Sequence, residues 1–473
     1  MTPRYSKIIN RDKMKRNVLI LLTLLMPLLA TAKPMGYKFT LQIDGCTDSM
    51  LLVCYYHAQT ERILDTAFNN GHGKFVFEGS RELFPGLYYF TNQKDRTVDF
   101  IVYHEKPFFK FHTDQRDWKR NMTVNGSREN TLLFNFDRST DHIYDAVRAA
   151  RDEMDSASFL EYRRQQFLKI DTLRLEFIKN HPRAMLAKMM QATKDPVAPP
   201  DSLTGNDRYF FIMHHYFDNM PLDDDFIIRT PRMVFYNRVD DYVEKYMRGL
   251  PPELMIPLLD TLIDRSEPAP EVFNWLVLTL TEKYLQSNIM VYDEVYVHLV
   301  QRYFATGKVT FLSPTTIDEQ VERATKWERL LVGREAPELI LFDTTRRVWS
   351  LHHMPGRYTL LLFWSPTCGH CRSIIPAVYE VFDRVADSLD LSAFAILSEP
   401  EEHTIAKWKS FLAEHNMTNP RWVNLNGGEA NIDWREVYDI QTTPQIYLID
   451  NKTKKFLAKK LDADLFETIC KQL

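Results

Sequence analysis

The sequence has few cysteines, no dense block of basic residues beyond its N-terminal segment and few long apolar runs. Only five of its 473 residues are cysteines. The 59 lysines and arginines are outnumbered by 63 acidic residues, so the formal net charge is −4. The basic residues also form no dense block after the N-terminal segment. A chain without a basic block is not expected to bind nucleic acid or an anionic membrane surface. Beyond one stretch near the N-terminus, no apolar run approaches the roughly 20 residues of a membrane-spanning helix.

The N-terminal stretch is typical of a secretory signal peptide. Lys13 to Arg16 supply positive charge, Val18 to Leu29 are mostly apolar, and Ala30-Thr31-Ala32 is a small-residue cleavage pattern. We therefore predict a signal peptide over residues 1–32 and a periplasmic or cell-envelope location. An uncleaved membrane anchor is the alternative.

The remaining length and the 45% hydrophobic content predict two or three domains. From residue 33 to about 135, short alternating segments are separated by turn residues, which predicts a small antiparallel β-domain. The expected strands are Tyr37–Ile43, Leu51–Tyr56, Lys74–Glu78, Leu87–Thr91, Val98–Val102 and Phe108–Thr113. Cys46 and Cys54 lie near strand ends, where either two free thiols or a structural disulfide would fit.

Residues 136–326 show helical spacing of apolar residues and predict an all-α domain. His214, His215 and Asp218, followed by the acidic run Asp223 to Asp225, superficially suggest a metal site. Adjacent histidines project about 100° apart on a helix and so converge poorly on one ion. An acidic run more often caps or solvates a helix end, so we expect no metal.

The most informative residues are Cys368 and Cys371, separated by Gly369 and His370. Tyr358–Trp364 reads as a strand and Gly369–Val385 as a helix, so Cys368 is expected at a helix N-terminus. Unpaired N–H groups there favour a thiolate, and His370 can add positive charge. Cys368 is thus the expected nucleophile, and Cys371 the thiol that resolves a mixed disulfide.

A zinc knuckle and a structural disulfide are the alternatives for this motif. Zinc commonly needs four ligands. Only Cys46, Cys54 and Cys470 remain, each isolated from the motif in sequence, and Cys470 reads as a core residue of the last helix. The position between strand and helix favours redox chemistry.

The motif resembles thioredoxin and its envelope relatives of the TlpA/ResA type. The resemblance covers residues 327–473 and rests on these segments: Trp364-x-x-x-Cys368-x-x-Cys371 with Pro376, Gly333-Arg334-Glu335-Ala336-Pro337-Glu338-Leu339, Thr443-Pro444 and Tyr447-Leu448-Ile449-Asp450. It implies an α/β thioredoxin-like domain in which Pro444 is cis and faces the redox pair. Trp364, Gly369 and Thr443 would support that site.

The chain departs from the family pattern at two places. Thioredoxin-like proteins often keep a carboxylate two residues before the Trp or three after the second Cys, where this chain has Leu362 and Ile374. Water, His370 or Glu399 would then accept the proton of Cys371. The Gly369-His370 pair also resembles protein disulfide isomerase, which leaves reductase, oxidase and isomerase directions open.

The two other regions resemble modules of unknown function found ahead of envelope thioredoxin-like domains. The likeness lies in Gly73-Lys74-Phe75-Val76-Phe77 and Pro85-Gly86-Leu87-Tyr88 for a β-sandwich, and in His215-Tyr216-Phe217-Asp218 and Arg229-Thr230-Pro231 for a helical module. The expected fold is therefore multidomain: β-sandwich, α-helical domain and thioredoxin-like domain. The β-sandwich is either a docking surface or a packing module.

Together these features predict an exported thiol:disulfide oxidoreductase, in the first place a disulfide reductase of envelope proteins. Its partners would be disulfide-containing or dithiol envelope proteins and, for a reductase, a membrane electron donor. We expect no cofactor. The alternatives are an envelope binding or assembly protein with a regulatory disulfide and a thiol peroxidase of the redoxin kind. Ser365 fits the Ser or Thr that such peroxidases need three residues before the cysteine, but Leu361 occupies the position where they need proline.

Overall fold

The structure is a computed structural model that describes residues 36–94, 97–343, 345–399 and 401–473. The predicted signal peptide, 1–32, lies outside the described residues. The chain divides into two compact units, one ending at Tyr242 and one running from Val243 to Leu473. No helix in the described ranges has the length and apolar character needed to cross a membrane.

The first unit begins with two four-stranded sheets, ordered β4-β1-β7-β8 and β3-β2-β5-β6. The strands are β1 (Tyr37–Asp44), β2 (Met50–His57), β3 (Thr60–Phe68), β4 (Lys74–Gly79), β5 (Gly86–Thr91), β6 (Thr97–Val102), β7 (Phe108–Asp114) and β8 (Thr123–Asn125). The buried Phe39 of β1 contacts Phe90 and Phe100 of the other sheet, with ring centroids 6.5 and 5.0 Å away. Alternate residues of β1 are buried, so one face supplies this aromatic core.

All strands predicted for this region are present, but β3 and β8 were not predicted. The prediction of a wholly antiparallel domain is wrong, because β1 pairs with β7 in parallel. These two strands lie far apart in the chain, so no hairpin requires them to run antiparallel. Most side chains of β3 are exposed. It is an edge strand of its sheet and pairs only with β2 among the strands described. A strand whose two faces are both largely in water carries no regular apolar alternation. The sequence therefore held little signal for β3.

Helices complete the first unit. They are α1 (Arg128–Glu153), α2 (Ser156–Asn180), α3 (Met185–Ala192), α4 (Gly205–His215) and α5 (Tyr236–Asp241). The Ser127 hydroxyl caps α1 by accepting from the Asn130 N–H.

The second unit begins with helices α6 (Pro252–Asp264), α7 (Pro270–Leu285), α8 (Asp293–Leu299) and α9 (Pro314–Arg329). Pro252, Pro270 and Pro314 each occupy the first turn of their helix, where no backbone donor is lost. Helix α8 continues as a π-helical turn, Val300–Phe304. The division at residue 242 thus falls inside the region predicted as one helical domain.

The rest of this unit is a seven-stranded sheet ordered β10-β9-β13-β12-β11-β14-β15, with four helices. The elements are β9 (Ile340–Asp343), β10 (Val348–Ser350), β11 (Tyr358–Trp364), α10 (Gly369–Val385), β12 (Leu391–Leu397), α11 (Glu402–Glu414), β13 (Trp422–Asn426), α12 (Trp434–Val437), β14 (Gln445–Asp450), β15 (Phe456–Lys459) and α13 (Ala463–Cys470). Central strand β11 runs parallel to β12 and antiparallel to β14.

Every residue of β11 is buried because both faces of the sheet are covered. Leu360, Leu362 and Trp364 belong to one apolar core, and Leu361 and Phe363 to the core on the opposite face. Packing on both faces fixes the position of the strand, and therefore of the loop and the cysteines that follow it.

Polar contacts join helices α7 to α9 to the sheet within this unit. Asp293 at the start of α8 is fully buried and pairs with Lys459 and Lys460, at 2.7 and 2.6 Å. The indole N–H of Trp327 in α9 donates to Asp439, at 2.6 Å. These contacts hold the helices beside the end of the sheet that carries the cysteines.

Candidate active site

Cys368 and Cys371 lie where β11 passes into α10. Cys368 is the N-cap of α10, and its carbonyl oxygen accepts from the Arg372 N–H at 3.1 Å. Cys368 is partly exposed, whereas Cys371, in the first turn, is fully buried. Both are free thiols, so the structure presents the reduced pair.

The environment of Cys368 favours its thiolate. Burial opposes the charged form, but the backbone N–H of Cys371, the side chain of Thr443, the side chain of Cys371 and the backbone N–H of His370 together outweigh it and lower the pKa of Cys368. Open N–H groups of a first helical turn stabilise a thiolate in this way. The donors at His370 and Cys371 are backbone groups, so this effect does not need the imidazole.

The environment of Cys371 has the opposite effect. Burial is the main cause that raises the pKa of Cys371 to about 12, although the Ser365 N–H, 3.5 Å from its sulfur, partly offsets it. The two thiols therefore differ in exposure and in acidity, as a nucleophile and a resolving thiol require.

The loop before β14 lies against the exposed thiol. The Thr443–Pro444 peptide bond is cis, as the family resemblance implied. The Cys368 thiol donates to the Thr443 carbonyl oxygen at 3.1 Å. The structure thus brings Thr443 and Pro444 to the cysteines across the sheet.

Glu399 follows β12 and fixes the loop that leads to Cys368. Its carboxylate accepts from the Ser365 hydroxyl, at 2.6 Å, and from the Thr367 hydroxyl. These hydrogen bonds lower the pKa of Glu399. Ser365 in turn directs its backbone N–H at Cys371, so Glu399 reaches the buried thiol only through Ser365. Sequence reasoning placed Ser365 only in the peroxidase alternative and not beside Cys371, because a serine next to this motif has no pattern that indicates such a contact.

The other predicted site residues lie at different depths. Trp364 is fully buried beneath the site and contacts Phe411, with ring centroids 5.2 Å apart. Gly369 is exposed, and no other group comes within 4 Å of the position a Cβ would take. His370 is also exposed. Leu362 belongs to the core, so neither of the positions where the family often keeps a carboxylate provides one here.

A groove of about 840 Å³ opens beside the dithiol. His370, Thr443 and Pro444 line it from the thioredoxin-like side, and Gln286, Arg323 and Trp327 line it from helices α7 to α9. No sequence pattern indicated the second set, because residues distant in the chain converge there only in the folded unit.

The remaining candidate groups lie away from this site. Cys46 is partly exposed and Cys54 is buried; both are free, so the disulfide alternative is absent from the structure. Cys470 belongs to the core of the thioredoxin-like domain, as expected. His215 pairs with Asp218 at 2.6 Å, and nowhere in the described ranges do three potential metal ligands converge.

Family comparisons match the first two regions to domains of unknown function. Residues 37–133 match the domain of unknown function DUF4369, and residues 176–326 match the domain of unknown function DUF5106. Neither match reaches Cys368 or Cys371.

Sequence relatives match the C-terminal region. The thioredoxin-like protein YneN of Bacillus subtilis is 27% identical over 143 residues, which cover 28% of this chain and 79% of the relative. The thiol-disulfide oxidoreductase ResA of Bacillus thuringiensis is 24% identical over 130 residues, covering 28% of this chain and 70% of the relative.

Among solved structures, a thioredoxin-like protein from Bacteroides caccae has a TM-score of 0.49 and 20% identity, and the match covers 59% of this chain and 98% of that one. The sequence relatives and the dithiol at the β11–α10 junction agree with each other. The chain is a thiol:disulfide oxidoreductase whose C-terminal thioredoxin-like domain is similar to YneN and ResA, and this domain is preceded by regions that match domains of unknown function.

Proposed function

We propose that this protein is an exported disulfide reductase of cell-envelope proteins, with Cys368 as nucleophile and Cys371 as resolving thiol. The observation that carries the proposal is the contrast between the two thiols. Cys368 is partly exposed with a lowered pKa, and Cys371 is fully buried with a pKa raised to about 12.

In the first step the Cys368 thiolate attacks one sulfur of a client disulfide. The client S–S bond breaks, a bond forms between Cys368 and that sulfur, and the other client sulfur leaves as a thiolate. The lowered pKa of Cys368 increases the fraction present as the reactive thiolate. Its contact with Thr443 places the reacting sulfur beside the groove.

In the second step Cys371 attacks the sulfur of Cys368. The mixed disulfide breaks, the client sulfur leaves with the electron pair, and a Cys368–Cys371 disulfide forms, so the client gains two electrons and the enzyme loses two. Cys371 must first lose its proton, which burial opposes. The Ser365 N–H stabilises the resulting thiolate at the buried sulfur.

A further dithiol must return two electrons to the enzyme for each turnover. In an oxidising compartment that donor must draw on electrons from the membrane. The predicted signal peptide over residues 1–32 supports this setting. We also propose that the two N-terminal sheets form a sandwich, on the basis of the contact between Phe39 and Phe90.

Trapping tests the proposal. Cys371→Ala expressed in the native host is expected to accumulate mixed disulfides between Cys368 and envelope proteins, visible as reducible high-mass bands and identified by mass spectrometry. Cys470→Ala is the matched control, because it removes a buried thiol from the same domain. It is expected to trap nothing.

Two results would contradict the proposal. One is the absence of trapped envelope proteins in Cys371→Ala. The other is full complementation of a deletion strain by the Cys368→Ala, Cys371→Ala double variant, which would assign the function to the other regions and favour a binding or assembly protein.

A further inference from the structure

The groove beside the dithiol is built by two parts of the second unit. His370, Thr443 and Pro444 come from the redox domain, and Arg323 and Trp327 come from helix α9. Its volume of about 840 Å³ is within the range of ligand-binding pockets, roughly 300–1,000 Å³. A disulfide approaching Cys368 therefore also meets residues of the helical region.

The helical wall of the groove is held in place by specific contacts. Trp327 donates its indole N–H to Asp439 at 2.6 Å, and its ring lies against Tyr296 at 5.0 Å. Next to it, Lys459 donates to the Leu330 carbonyl oxygen at 3.1 Å. Side chains held on helices and strands can position a ligand more accurately than side chains on a mobile loop.

The carboxylates that line the groove are already engaged. Asp293 pairs with Lys459 and Lys460, and Asp439 accepts from Trp327. Asp462 accepts from the backbone N–H of Leu465 at 2.8 Å. Asp439 and Asp462 thus have structural roles, Asp439 as the acceptor for Trp327 and Asp462 as the N-cap of α13.

Arg323 is different. It is partly exposed in the groove lining, and no carboxylate in the described ranges lies within ion-pair distance of it. Lys459 and Lys460 both pair with Asp293, so Arg323 is the basic side chain of the lining that has no ion-pair partner among the described residues. A guanidinium favours a carboxylate partner through paired N–H donors.

We propose that the helical region is a client-recognition element of the reductase, and that the groove receives an extended polypeptide segment in which acidic residues flank the target cysteine. The cysteine sulfur meets Cys368 beside Thr443, and a flanking carboxylate meets Arg323. This inference rests on the proposed function and adds to it the class of client that the enzyme prefers.

Matched peptide disulfides test the preference. The probes are homodimers of three synthetic peptides that differ only in the residues on both sides of one cysteine, which are Asp, Asn or Lys. Stoichiometric reduced protein is mixed with each, and chromatography follows the loss of peptide disulfide. The readout is the ratio of the rate constant with the Asp peptide to that with the Asn peptide. This ratio is compared between the wild-type protein and each variant, so that the peptides' own reactivity cancels.

Arg323→Gln is expected to lower that ratio by about threefold, within the range for an exposed ion pair. Arg323→Glu is expected to reverse the preference towards the Lys peptide. Arg329→Gln is the matched control, because Arg329 is an exposed arginine of the same helix outside the groove lining, and it is expected to keep the wild-type ratio.

An unchanged ratio in Arg323→Gln, or an equal fall in Arg329→Gln, overturns the inference. The Asn peptide separates this result from the proposed function. If the wild-type protein consumes the Asn peptide and Cys368→Ala does not, the reductase chemistry holds whatever the ratios are. A wild-type protein that consumes no peptide removes both the proposed function and this inference.

Discussion

The Cys368 thiol lies 3.1 Å from the carbonyl oxygen of Thr443, the residue before the cis-proline. This contact joins the N-terminus of α10 to the loop before β14. The two segments are far apart in the chain but close in space, because β11 and β14 are neighbours in the sheet. It places the more acidic thiol at the edge of the groove, while Cys371 stays beneath it in the core. The account of the site depends on this division between an accessible and a buried sulfur.

The first prediction concerns the acidity of the two thiols. Alkylation of the reduced protein by iodoacetamide is expected to modify Cys368 first, with its half-maximal rate at a lower pH than an ordinary cysteine shows. Cys371 should stay unmodified up to a pH near its raised pKa of about 12, because burial blocks both ionisation and access. Peptide mapping of the alkylated protein measures both. Equal labelling of the two thiols at pH 7 would contradict the assignment.

The second prediction separates the backbone of residue 370 from its side chain. His370→Ala keeps the N–H that lowers the pKa of Cys368, whereas His370→Pro removes it. Both residues are tolerated in a first helical turn. The pH dependence of alkylation should therefore shift upward in His370→Pro and by less in His370→Ala. A larger shift in His370→Ala would show that the imidazole charge dominates.

The third prediction concerns Glu399 as a positioning residue. Its carboxylate holds the Ser365 and Thr367 hydroxyls, and Ser365 directs an N–H at Cys371. Glu399→Gln keeps an oxygen acceptor and Glu399→Leu does not. Stopped-flow measurement of mixed-disulfide resolution should therefore show a smaller loss of rate for Glu399→Gln than for Glu399→Leu. Equal losses would instead identify Glu399 as the proton acceptor for Cys371.

The same hydrogen bonds predict a pH dependence of stability. The folded state lowers the pKa of Glu399, so the stabilisation is present above its unfolded value of about 4.3 and is lost as pH falls through the folded value. The difference in free energy of unfolding between wild type and Glu399→Leu should thus be constant above pH 5 and shrink below pH 4. Urea titrations at several pH values measure it.

The fourth prediction concerns the buried charges that join the helices to the sheet. Asp293→Ala leaves the buried Lys459 without its counter-ion, which typically costs about 3–5 kcal/mol. Hydrogen exchange in residues 243–473 should therefore accelerate. Glu467→Gln breaks the pairs with Arg384 and Lys471 at the surface and should change the free energy of unfolding by at most about 1 kcal/mol for each pair. Similar effects of both variants would contradict the stabilising role of Asp293.

Local patterns predicted the elements that carry the dithiol. Tyr358–Trp364 and Gly369–Val385 have the predicted bounds, because a continuous apolar run and regular helical spacing are strong signals when a sheet is covered on both faces. The family resemblance supplied Thr443 and Pro444, whose approach to Cys368 depends on strand pairing that no local pattern contains.

The helical wall of the site was beyond sequence reasoning. Trp327 and Arg323 belong to an amphipathic helix with no motif, and they reach the groove because Asp439 and Asp293 hold the helices against the sheet. Strand β3 was missed for a related reason, since its exposed side chains show no apolar alternation. Contacts between distant segments, rather than local composition, decided both features.

The division of roles between the two cysteines is tested most directly by the mass of the adduct formed with an aromatic disulfide at pH 7. Cys371→Ala is predicted to form a stable one-to-one mixed disulfide located at Cys368, and Cys368→Ala is predicted to form none at Cys371 under the same conditions. A stable adduct on Cys371 in Cys368→Ala, with none on Cys368 in Cys371→Ala, would contradict the account.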